Sequence, residues 1–387
     1  MFILQNIGQA LFLSFSMLWE ILWPLILGFT LSGIIQAVVS RQAMAKTLGG
    51  NGPKPLALAT LFGIASSSCS YAAVALARSL FQKGASFTAS MVFELASTNL
   101  VVELGIILIV LMGWQFTAAE FVGGILMVVF IALLFRLTLT PRLVQAAKMQ
   151  AEQGQMGRME GHAAMDMSVT GGSFFSKLFS GRGLTAVSNY FVMDWASVWV
   201  DIVLGLLIAG ALAAWVPDSF WRMVFLTNNP TLAKIEGPLV GPLVAMVSFV
   251  CSVGNVPLAA VLWRGGISFG GVVSFIFADL IILPILDIYR KYYSWKVMWF
   301  ILLTFYLTMA AAGYVVELLF GMLGIIPHNR NVVVLTEGIS WNYSTILNIL
   351  FLVLAVVLVT RFIRTGGLPM LRMMGKPPQE MHHEKME

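Results

Sequence analysis

The feature that most constrains this chain is a series of long apolar stretches, each about as long as a lipid bilayer is thick. A helix needs about 20 consecutive apolar residues to cross the hydrocarbon core. Only 11% of the 387 residues are charged and 59% are hydrophobic, which leaves too few charges to cover a soluble domain. The sequence therefore predicts an all-α polytopic membrane protein. Its predicted apolar segments are 11–39, 55–78, 86–112, 115–135, 195–217, 238–262, 268–290, 296–320 and 344–362.

The chain contains an internal repeat. Residues 66–96 align without a gap on residues 248–278, at a shift of 182 positions, and 12 of the 31 residues are identical. Shared hydrophobicity alone would produce matching aliphatic residues, but not matching cysteines, serines and glycines. The repeat therefore predicts two duplicated halves. The matched pairs include Cys69 with Cys251, Ser70 with Ser252, and Gly84 with Gly266.

The distribution of lysine and arginine predicts how the two halves are oriented. Cytoplasmic loops of membrane proteins carry an excess of these residues. If 55–78 and 238–262 each enter and leave the membrane on one face, 19 of the 23 basic residues lie on one side and four on the other. Both segments also carry polar breakers at their centres. We therefore expect two inverted-topology repeats, each with a re-entrant (broken) helical hairpin, and seven crossings with the N-terminus outside and the C-terminus inside.

These patterns divide the chain into four parts. Residues 1–140 form the first transmembrane repeat and residues 194–320 the second. Between them, 141–193 is predicted to be a flexible, Met- and Gly-rich cytoplasmic loop followed by an interfacial segment. Residues 321–387 are predicted to add a C-terminal transmembrane helix and a cytoplasmic tail.

The centre of each predicted hairpin carries a cysteine among small polar residues. Hydrocarbon cannot satisfy the backbone groups at such a tip, so the tip must lie inside protein or line a wet cavity. A thiol is a soft ligand that suits a soft electrophile or metal. A lone cysteine is more often a small apolar filler, but a pair duplicated within polar tips favours binding. The predicted substrate site comprises Cys69, Cys251, Ser68, Ser70, Ser252, Asn255, Thr98 and Asn99.

Carboxylates within the predicted spans are the second candidate feature. Intramembrane acids are energetically expensive, and they usually line a pathway or carry protons. Asp279 and Glu103 have no adjacent cation in sequence and are the predicted proton-coupling residues. Glu103 is predicted to share a helical face with Asn99 at i, i+4, whereas Glu94 points elsewhere. Asp287 has basic neighbours within one turn, which an ion pair explains.

The central loop contains His162, Met165 and Met167, whose imidazole and thioether groups suit copper(I) or another soft metal. One histidine among scattered methionines is more typical of a low-complexity linker, so no metal site is assigned there. The sequence has no Ser-His-acid set, Walker loop, dinucleotide fingerprint or zinc-ligand spacing. We therefore expect neither an enzyme nor a cofactor, and any transport to be secondary or dependent on a partner.

At these residues the sequence resembles the predicted-permease family that includes the organoarsenical efflux permeases (ArsP-like). The resemblance covers nearly the whole chain and rests on SSSCSYAAVALARSLFQKGAS, FELASTNLVVELG, SFVCSVGNVPLAAVLWRGGISFGG and FADLIILPILDIYRKYY. It implies a secondary permease of the cytoplasmic (inner) membrane that exports a soft or thiol-reactive metalloid compound, such as a trivalent organoarsenical. The carboxylates within the spans add the expectation of coupling to protons.

The hairpin tips depart from the pattern of that family in one respect. Members often have a Cys-Ser-Cys tip, whereas the tips here read Cys69-Ser70-Tyr71 and Cys251-Ser252-Val253. Two thiols can satisfy a trivalent methylarsenical. One thiol per half puts three-thiol capture of inorganic arsenite in doubt.

Other functions are compatible with the same residues. An intramembrane thiol oxidoreductase would use the two cysteines as a redox pair, with Arg78 as the candidate for activating one of them. A permease for an unrelated small solute or a copper-like soft metal is a further alternative. The expected partners are a small-molecule substrate and the lipid bilayer, not nucleic acid. The oligomeric state is left open, a homodimer included.

Overall fold

The computed structural model describes residues 2–38, 47–66, 70–152, 167, 169, 174–215, 229–248, 252–330, 343–369 and 371. These residues form α-helices and one short 3₁₀ turn, and no β-strand occurs among them, so the expectation of an all-helical protein is confirmed. The helices are α1 (Phe2–Val38), α2 (Pro53–Ser66), α3 (Ser70–Gln82), α4 (Phe87–Asn99), α5 (Val102–Leu111), α6 (Trp114–Thr138), α7 (Pro141–Glu152), α8 (Phe174–Leu178), α9 (Gly181–Trp215), α10 (Pro230–Ser248), α11 (Ser252–Gly265), α12 (Phe269–Phe277), α13 (Leu283–Tyr293), α14 (Trp295–Met322) and α15 (Tyr343–Arg364), and the 3₁₀ turn is Ala278–Leu280.

Five helical stretches of the described residues are long and apolar enough to cross a membrane, and a sixth consists of two parts that meet at 42°. The chain is therefore a multi-pass membrane protein. The seventh predicted crossing, 195–217, falls in α9, whose apolar part Ile202–Leu212 is shorter than a span, so the number seven stays a prediction. The five stretches are Ile21–Val38, Phe87–Leu111, Trp114–Thr138, Trp295–Met322 and Thr345–Arg364, and the bent one is Phe269–Leu280 with Leu283–Tyr293.

Two predicted spans, 86–112 and 268–290, are each broken near the middle, whereas the sequence predicts each as one helix. In the first, α4 ends at Asn99 and α5 begins at Val102, so the prediction that Asn99 and Glu103 share a helical face is wrong. Asn99 Nδ2 donates to Leu95 O at 3.2 Å, a side-chain bond of the kind that competes with helix continuation. In the second, Pro284 lies in the first turn of α13 and cannot donate the hydrogen bond that would continue a helix through it.

The central segment is more helical than the predicted flexible loop 141–193. Helix α7 lies inside it, and α9 begins within it at Gly181. The apolar contacts of α7 come from small residues, because Ala147 and Ala151 are fully buried. Arg78 Nη2 of α3 donates to Ala151 O at 2.8 Å, which holds the end of α7 against the bundle. Two alanines four residues apart give a weak hydrophobic pattern, which explains why the helix was not predicted.

Helices α1, α9 and α15 form one group, in which α9 runs antiparallel to the other two. Ser14 Oγ of α1 donates to Leu206 O of α9 at 2.8 Å. Ser188 Oγ, nearer the start of α9, donates to Leu358 O of α15 at 2.8 Å. Small polar residues that bond across helices are a common means of association in lipid, where the hydrophobic effect does not drive helices together.

The duplicated stretch folds into the same caps and turns in both halves. Helices α4 and α12 begin 182 positions apart, preceded by Ser86 and Ser268. Each serine side chain accepts the backbone N–H three residues later at 3.1 Å, the usual bond of an N-cap. The turns before them contain Gly84 and Gly266, with φ of 109° and 113°, values that only glycine adopts readily.

The start of α2 and the end of α3 lie together. Ser86, just after α3, donates its N–H to Leu48 O at 2.8 Å and its hydroxyl to Gly50 O at 3.1 Å, both just before α2. The chain therefore travels out along α2 and back along α3. In the second half, Lys234 near the start of α10 and Gly266 after α11 line one cavity.

Helix α6 contacts both halves near its two ends. The Phe116 ring lies 5.2 Å from the Trp263 ring and 4.8 Å from the Phe269 ring, between centroids. The Phe135 ring stacks on Phe87 at 5.9 Å. Phe116 and Phe135 are separated by about 28 Å of helix at 1.5 Å per residue. Helices α4 and α12 therefore begin at opposite ends of α6.

Replacing Gly63 with Ala is expected to destabilise the protein by about 1–3 kcal/mol, the usual penalty for overpacking. A Cβ at Gly63 of α2 would lie 2.6 Å from Phe93 O and 2.7 Å from Ala96 Cβ of α4, so the two helices would have to separate. The measurement is thermal unfolding in detergent. Gly8→Ala in α1 is the matched control, because its Cβ would meet no atom within 4 Å. Equal unfolding temperatures for the two variants would contradict this packing.

Candidate functional site

Polar residues from the two halves meet in the protein interior. Ser70, the first residue of α3, donates its hydroxyl to Asp279 Oδ2 at 2.6 Å, and both side chains are fully buried. Asn99, the last residue of α4, lies beside the same carboxylate. The site thus joins residues that are 209 positions apart in sequence.

Helix ends explain why these side chains converge. The terminal backbone groups of a helix have no partner within it, and hydrocarbon cannot supply one. Ser70 stands at the beginning of α3 and Asn99 at the end of α4. The 3₁₀ turn that carries Asp279 contacts α3, α10 and α11. Several helix ends are therefore gathered inside the protein, where polar side chains can satisfy them.

Asn255 of α11 is a further predicted site residue in the interior. Its Oδ1 accepts a hydrogen bond from Ser248 Oγ at 3.3 Å, which joins the end of α10 to the first turn of α11. Asn255 Nδ2 and Asn99 Oδ1 are buried and have no hydrogen-bond partner in the described part of the chain. Asn99 Nδ2 donates to Thr98 Oγ1 at 2.9 Å. The unused donor and acceptor could bind a polar group of a substrate or water.

The two cysteines are not among the described residues, although the residue that follows each of them is. Ser70 follows one of them directly, and the helix that begins with Ser252 follows the other. The Ser252 side chain is likewise not described. The predicted site residues outside the described ranges are Cys69, Cys251, Ser68, His162 and Met165.

Two of the predicted residues, Met167 and Glu103, lie away from Asp279 and contact other helices. Met167 donates its backbone N–H to the Tyr190 hydroxyl at 2.9 Å, and its sulfur accepts from Asn189 Nδ2 at 3.5 Å, so it lies against α9. Glu103 lies in the first turn of α5, where the helix dipole favours an acid. Its Cβ packs against Gly28, so Glu103 faces α1.

Two buried carboxyl groups near Asp279 were not predicted to belong to the site. Glu94, expected to point elsewhere, accepts a hydrogen bond on Oε1 from the Tyr289 hydroxyl. Glu120 of α6 is 1% exposed, and neither of its carboxyl oxygens has a hydrogen-bond partner among the described residues. Both interact with Asp279 through charge. Glu120 is the one acidic residue of segment 115–135. Because intramembrane acids are usually functional, the sequence could have indicated Glu120 as a site residue.

A cavity of about 630 Å³ opens near the start of α6. Arg330 Nη1 donates to two backbone carbonyls around the end of α11, each at 2.9 Å. Burial lowers the pKa of the Arg330 guanidinium, and the Glu317 carboxylate opposes this effect. Four basic residues are predicted to lie on the less basic side of the membrane. Three of them, Lys234, Arg264 and Arg330, line this cavity. Its charged and titratable lining is Lys234, Arg264, Glu317, His328 and Arg330.

The described residues contain no group of three His, Cys, Asp or Glu side chains that could hold a metal ion. The interior around Asp279 instead offers carboxyl, amide and hydroxyl groups. Such groups can exchange protons and bind polar atoms.

Comparison with known proteins finds a matching family and a close relative that are both described as permeases. The sequence pattern of a family described as "Predicted permease" matches residues 6–318. A Mycobacterium tuberculosis protein named "Putative permease Rv2963" is 62% identical over 346 residues, which cover 89% of this chain and 85% of that protein. The Escherichia coli protein named "UPF0718 protein YraQ" is 26% identical over 191 residues, 49% of each chain. No solved structure matches the chain.

Proposed function

The chain belongs to the predicted-permease family, and from this premise we propose that it is a secondary active permease of the cytoplasmic membrane. In this proposal it exports a soft, thiol-reactive metalloid compound such as a trivalent organoarsenical, and protons drive the export. The observation that carries the proposal is the buried hydrogen bond between Ser70 and Asp279, which brings one polar residue from each half to the same place.

The positions of helix ends support a substrate site formed by both cysteines. Cys69 precedes Ser70, which bonds directly to Asp279. Cys251 lies between α10 and α11, and both helices contact the 3₁₀ turn that carries Asp279. Two thiols from opposite halves could then bond one arsenic centre, since soft thiolates suit soft metalloids.

The contacts of α6 support inverted repeats with re-entrant hairpins. The α2–α3 pair starts and ends near Phe87, whereas the α10–α11 pair starts and ends near Phe269. These two phenylalanines pack on opposite ends of α6. Inverted repeats that meet at broken helices are typical of secondary transporters, in which the site becomes accessible from one side and then the other.

The chemistry of Asp279 supports the proposed proton coupling. Its Oδ1 has no hydrogen-bond partner in the described part of the chain, so the carboxyl has room to accept and release a proton. A carboxylate without a countercharge is costly in a low-dielectric interior, whereas the Ser70 hydrogen bond favours it, so the ionised and protonated forms of Asp279 compete. A substrate bound at the neighbouring thiols would change that balance.

The proposed topology predicts which residues face the cytoplasm. In a cysteine-free background, Asn51→Cys and Lys83→Cys are expected to react with a membrane-impermeant maleimide from the cytoplasmic face, and Arg264→Cys from the opposite face. All three side chains are exposed. The control is labelling after detergent solubilisation, when all three should react. Labelling of Asn51→Cys and Lys83→Cys from opposite faces would overturn the hairpin arrangement.

Growth of a deletion strain across a panel of toxic compounds tests the substrate class. Restoring the wild-type gene is expected to raise resistance to trivalent methylarsenicals and to lower cellular arsenic. The panel also includes antimonite, copper and mercury salts. Resistance to copper alone, or an unchanged arsenic content together with a changed thiol oxidation state in the membrane, would contradict the proposal in favour of a copper permease or an oxidoreductase.

A further inference from the structure

Three buried carboxyl groups lie near one another, and the described residues do not supply them with a matching set of cations. Glu94 and Asp279 are each 0% exposed, and Glu120 is 1% exposed. Between them, four carboxyl oxygens have no hydrogen-bond partner in the described ranges: Glu94 Oε2, Asp279 Oδ1 and both oxygens of Glu120. Three neighbouring carboxylates would repel one another and lack solvation, so they cannot all be ionised at once.

Asp279 links the three carboxyl groups, because it interacts through charge with each of the other two. Glu120 lies one helical turn from Phe116, about 6 Å from the end of α6 that faces Phe269. Glu94 lies seven residues from Phe87, the residue that packs on the opposite end of α6. Glu94 then accepts the hydrogen bond of Tyr289 on α13.

Tyrosine side chains extend from Glu94 toward the other end of α6. The Tyr289 and Tyr293 rings stack at 6.4 Å, and the Tyr293 ring meets Phe87 edge-on at 5.5 Å. The Tyr293 hydroxyl is buried and has no hydrogen-bond partner among the described residues. Arg78 acts on Tyr293 through charge, and its guanidinium lies 4.3 Å from the centre of the Tyr292 ring.

Within the described part of the chain, few other charges face these groups. Glu103 faces α1, and Glu317 accepts the backbone N–H of Gly270 at 2.6 Å. Arg136 and Lys296 lie near the helix ends that meet at Phe135. The charged residues on the helices packed against α4 and α6 are Lys54, Arg78, Glu103, Arg136, Lys296 and Glu317.

We propose that Glu120, Asp279 and Glu94 form a proton path through the middle of the membrane, continued by Tyr289. Asp279 is the group coupled to substrate, Glu120 exchanges protons toward the cavity at the start of α6, and Glu94 exchanges them toward Tyr289. Between the carboxyl groups, a proton leaves the carboxyl oxygen of one residue and bonds to a carboxylate oxygen of the next, directly or through water. The donor becomes a carboxylate, the acceptor becomes a neutral carboxyl, and no other reactant is needed. At Tyr289, the hydroxyl gives its own proton to the Glu94 carboxylate and takes another from water, so the phenol stays neutral. This inference rests on the proposed function only for the coupling to substrate.

Infrared spectroscopy of the reconstituted full-length protein tests the path independently of any substrate. The readout is the carbonyl stretching band of protonated carboxyl groups during a pH titration. Glu120→Gln and Glu94→Gln are each expected to remove part of this band and to shift the titration of the remainder. Asp287→Asn is the matched control, because Asp287 is ion-paired with Arg290 and Lys291 at 2.6 and 2.7 Å and should not contribute. An unchanged band in both glutamine variants would overturn the inference.

Transport assays with methylarsonous acid in proteoliposomes provide the second readout. Glu120→Gln is expected to keep arsenical exchange between the two sides of the membrane but to lose proton-driven accumulation, and Glu120→Asp is expected to restore it. Normal proton-driven accumulation in Glu120→Gln would overturn the proton path even if the permease function holds. If the wild type exchanges no arsenical, the proposed substrate fails, and the infrared result still decides the proton path.

Discussion

Asp279→Asn is expected to reduce proton-driven export to the background of vesicles without protein, while the folded protein persists. An amide cannot release a proton at physiological pH, so the coupling step is lost. The fold should survive because the Asn Oδ1 can still accept the hydroxyl of Ser70, which now donates to the carboxylate at 2.6 Å. The measurement is substrate accumulation in vesicles under an imposed pH gradient, together with thermal unfolding of the purified variant.

Asp287→Asn serves as the matched control for this prediction. It removes the same charge from the same bent span, but from a half-exposed side chain that is ion-paired with Arg290 and Lys291. A surface pair of this kind contributes about 0–1 kcal/mol, so neither transport nor folding should change much. Unaltered transport with an unaltered pH profile in Asp279→Asn would remove Asp279 from the coupling mechanism.

Cys69→Ser and Cys251→Ser are each expected to weaken binding of a trivalent methylarsenical by at least ~10-fold, or about 1.4 kcal/mol. If both thiols bond one arsenic centre, the loss of either leaves a single attachment. The double variant should therefore bind little worse than either single variant, because residues that share one ligand do not act additively. Titration calorimetry of the purified protein measures the three affinities.

Met167→Leu is the control for the cysteine variants. The Met167 sulfur accepts a hydrogen bond from Asn189 of α9 and should not bind the arsenical. Two results would count against a shared site. One is a double variant whose loss equals the product of the two single losses. The other is a pair of sulfur atoms more than roughly 15 Å apart, since a metal(loid) centre bonds thiolates at only about 2.3 Å in comparable sites.

The sequence predicted the helical segments and the equivalence of the two halves better than the interruptions within helices. Apolar length alone located six membrane-length stretches, because the bilayer imposes that length on any crossing helix. The sequence match between Ser86 and Ser268 corresponds to identical N-caps. An N-cap depends on a few neighbouring residues, so a short stretch of sequence predicts it well. The breaks after Asn99 and before Pro284 went unpredicted, because hydrophobicity is continuous across them.

The composition of the site was predicted only in part, for a physical reason. Ser70, Asn99 and Asp279 were predicted as site residues, because polar groups within apolar spans are conspicuous, and the structure brings these three together. Glu94 was assigned away from them because helical periodicity describes one helix and not the contacts between helices. Glu120 joins them through the packing of α6 against both halves, which no local pattern in the sequence reports.

The shortness of α2 and α3 has a consequence for how the protein is made. With 14 and 13 residues, each is about 20 Å long, less than the thickness of the hydrocarbon core. Neither can be released from the ribosome-bound translocon into lipid as a stable spanning segment. Gly63 finds its packing partners, Phe93 and Ala96, only when α4 has been synthesised. Insertion of this region is therefore delayed and cooperative, and a nascent chain that stops before Phe87 should stay accessible to cytoplasmic protease.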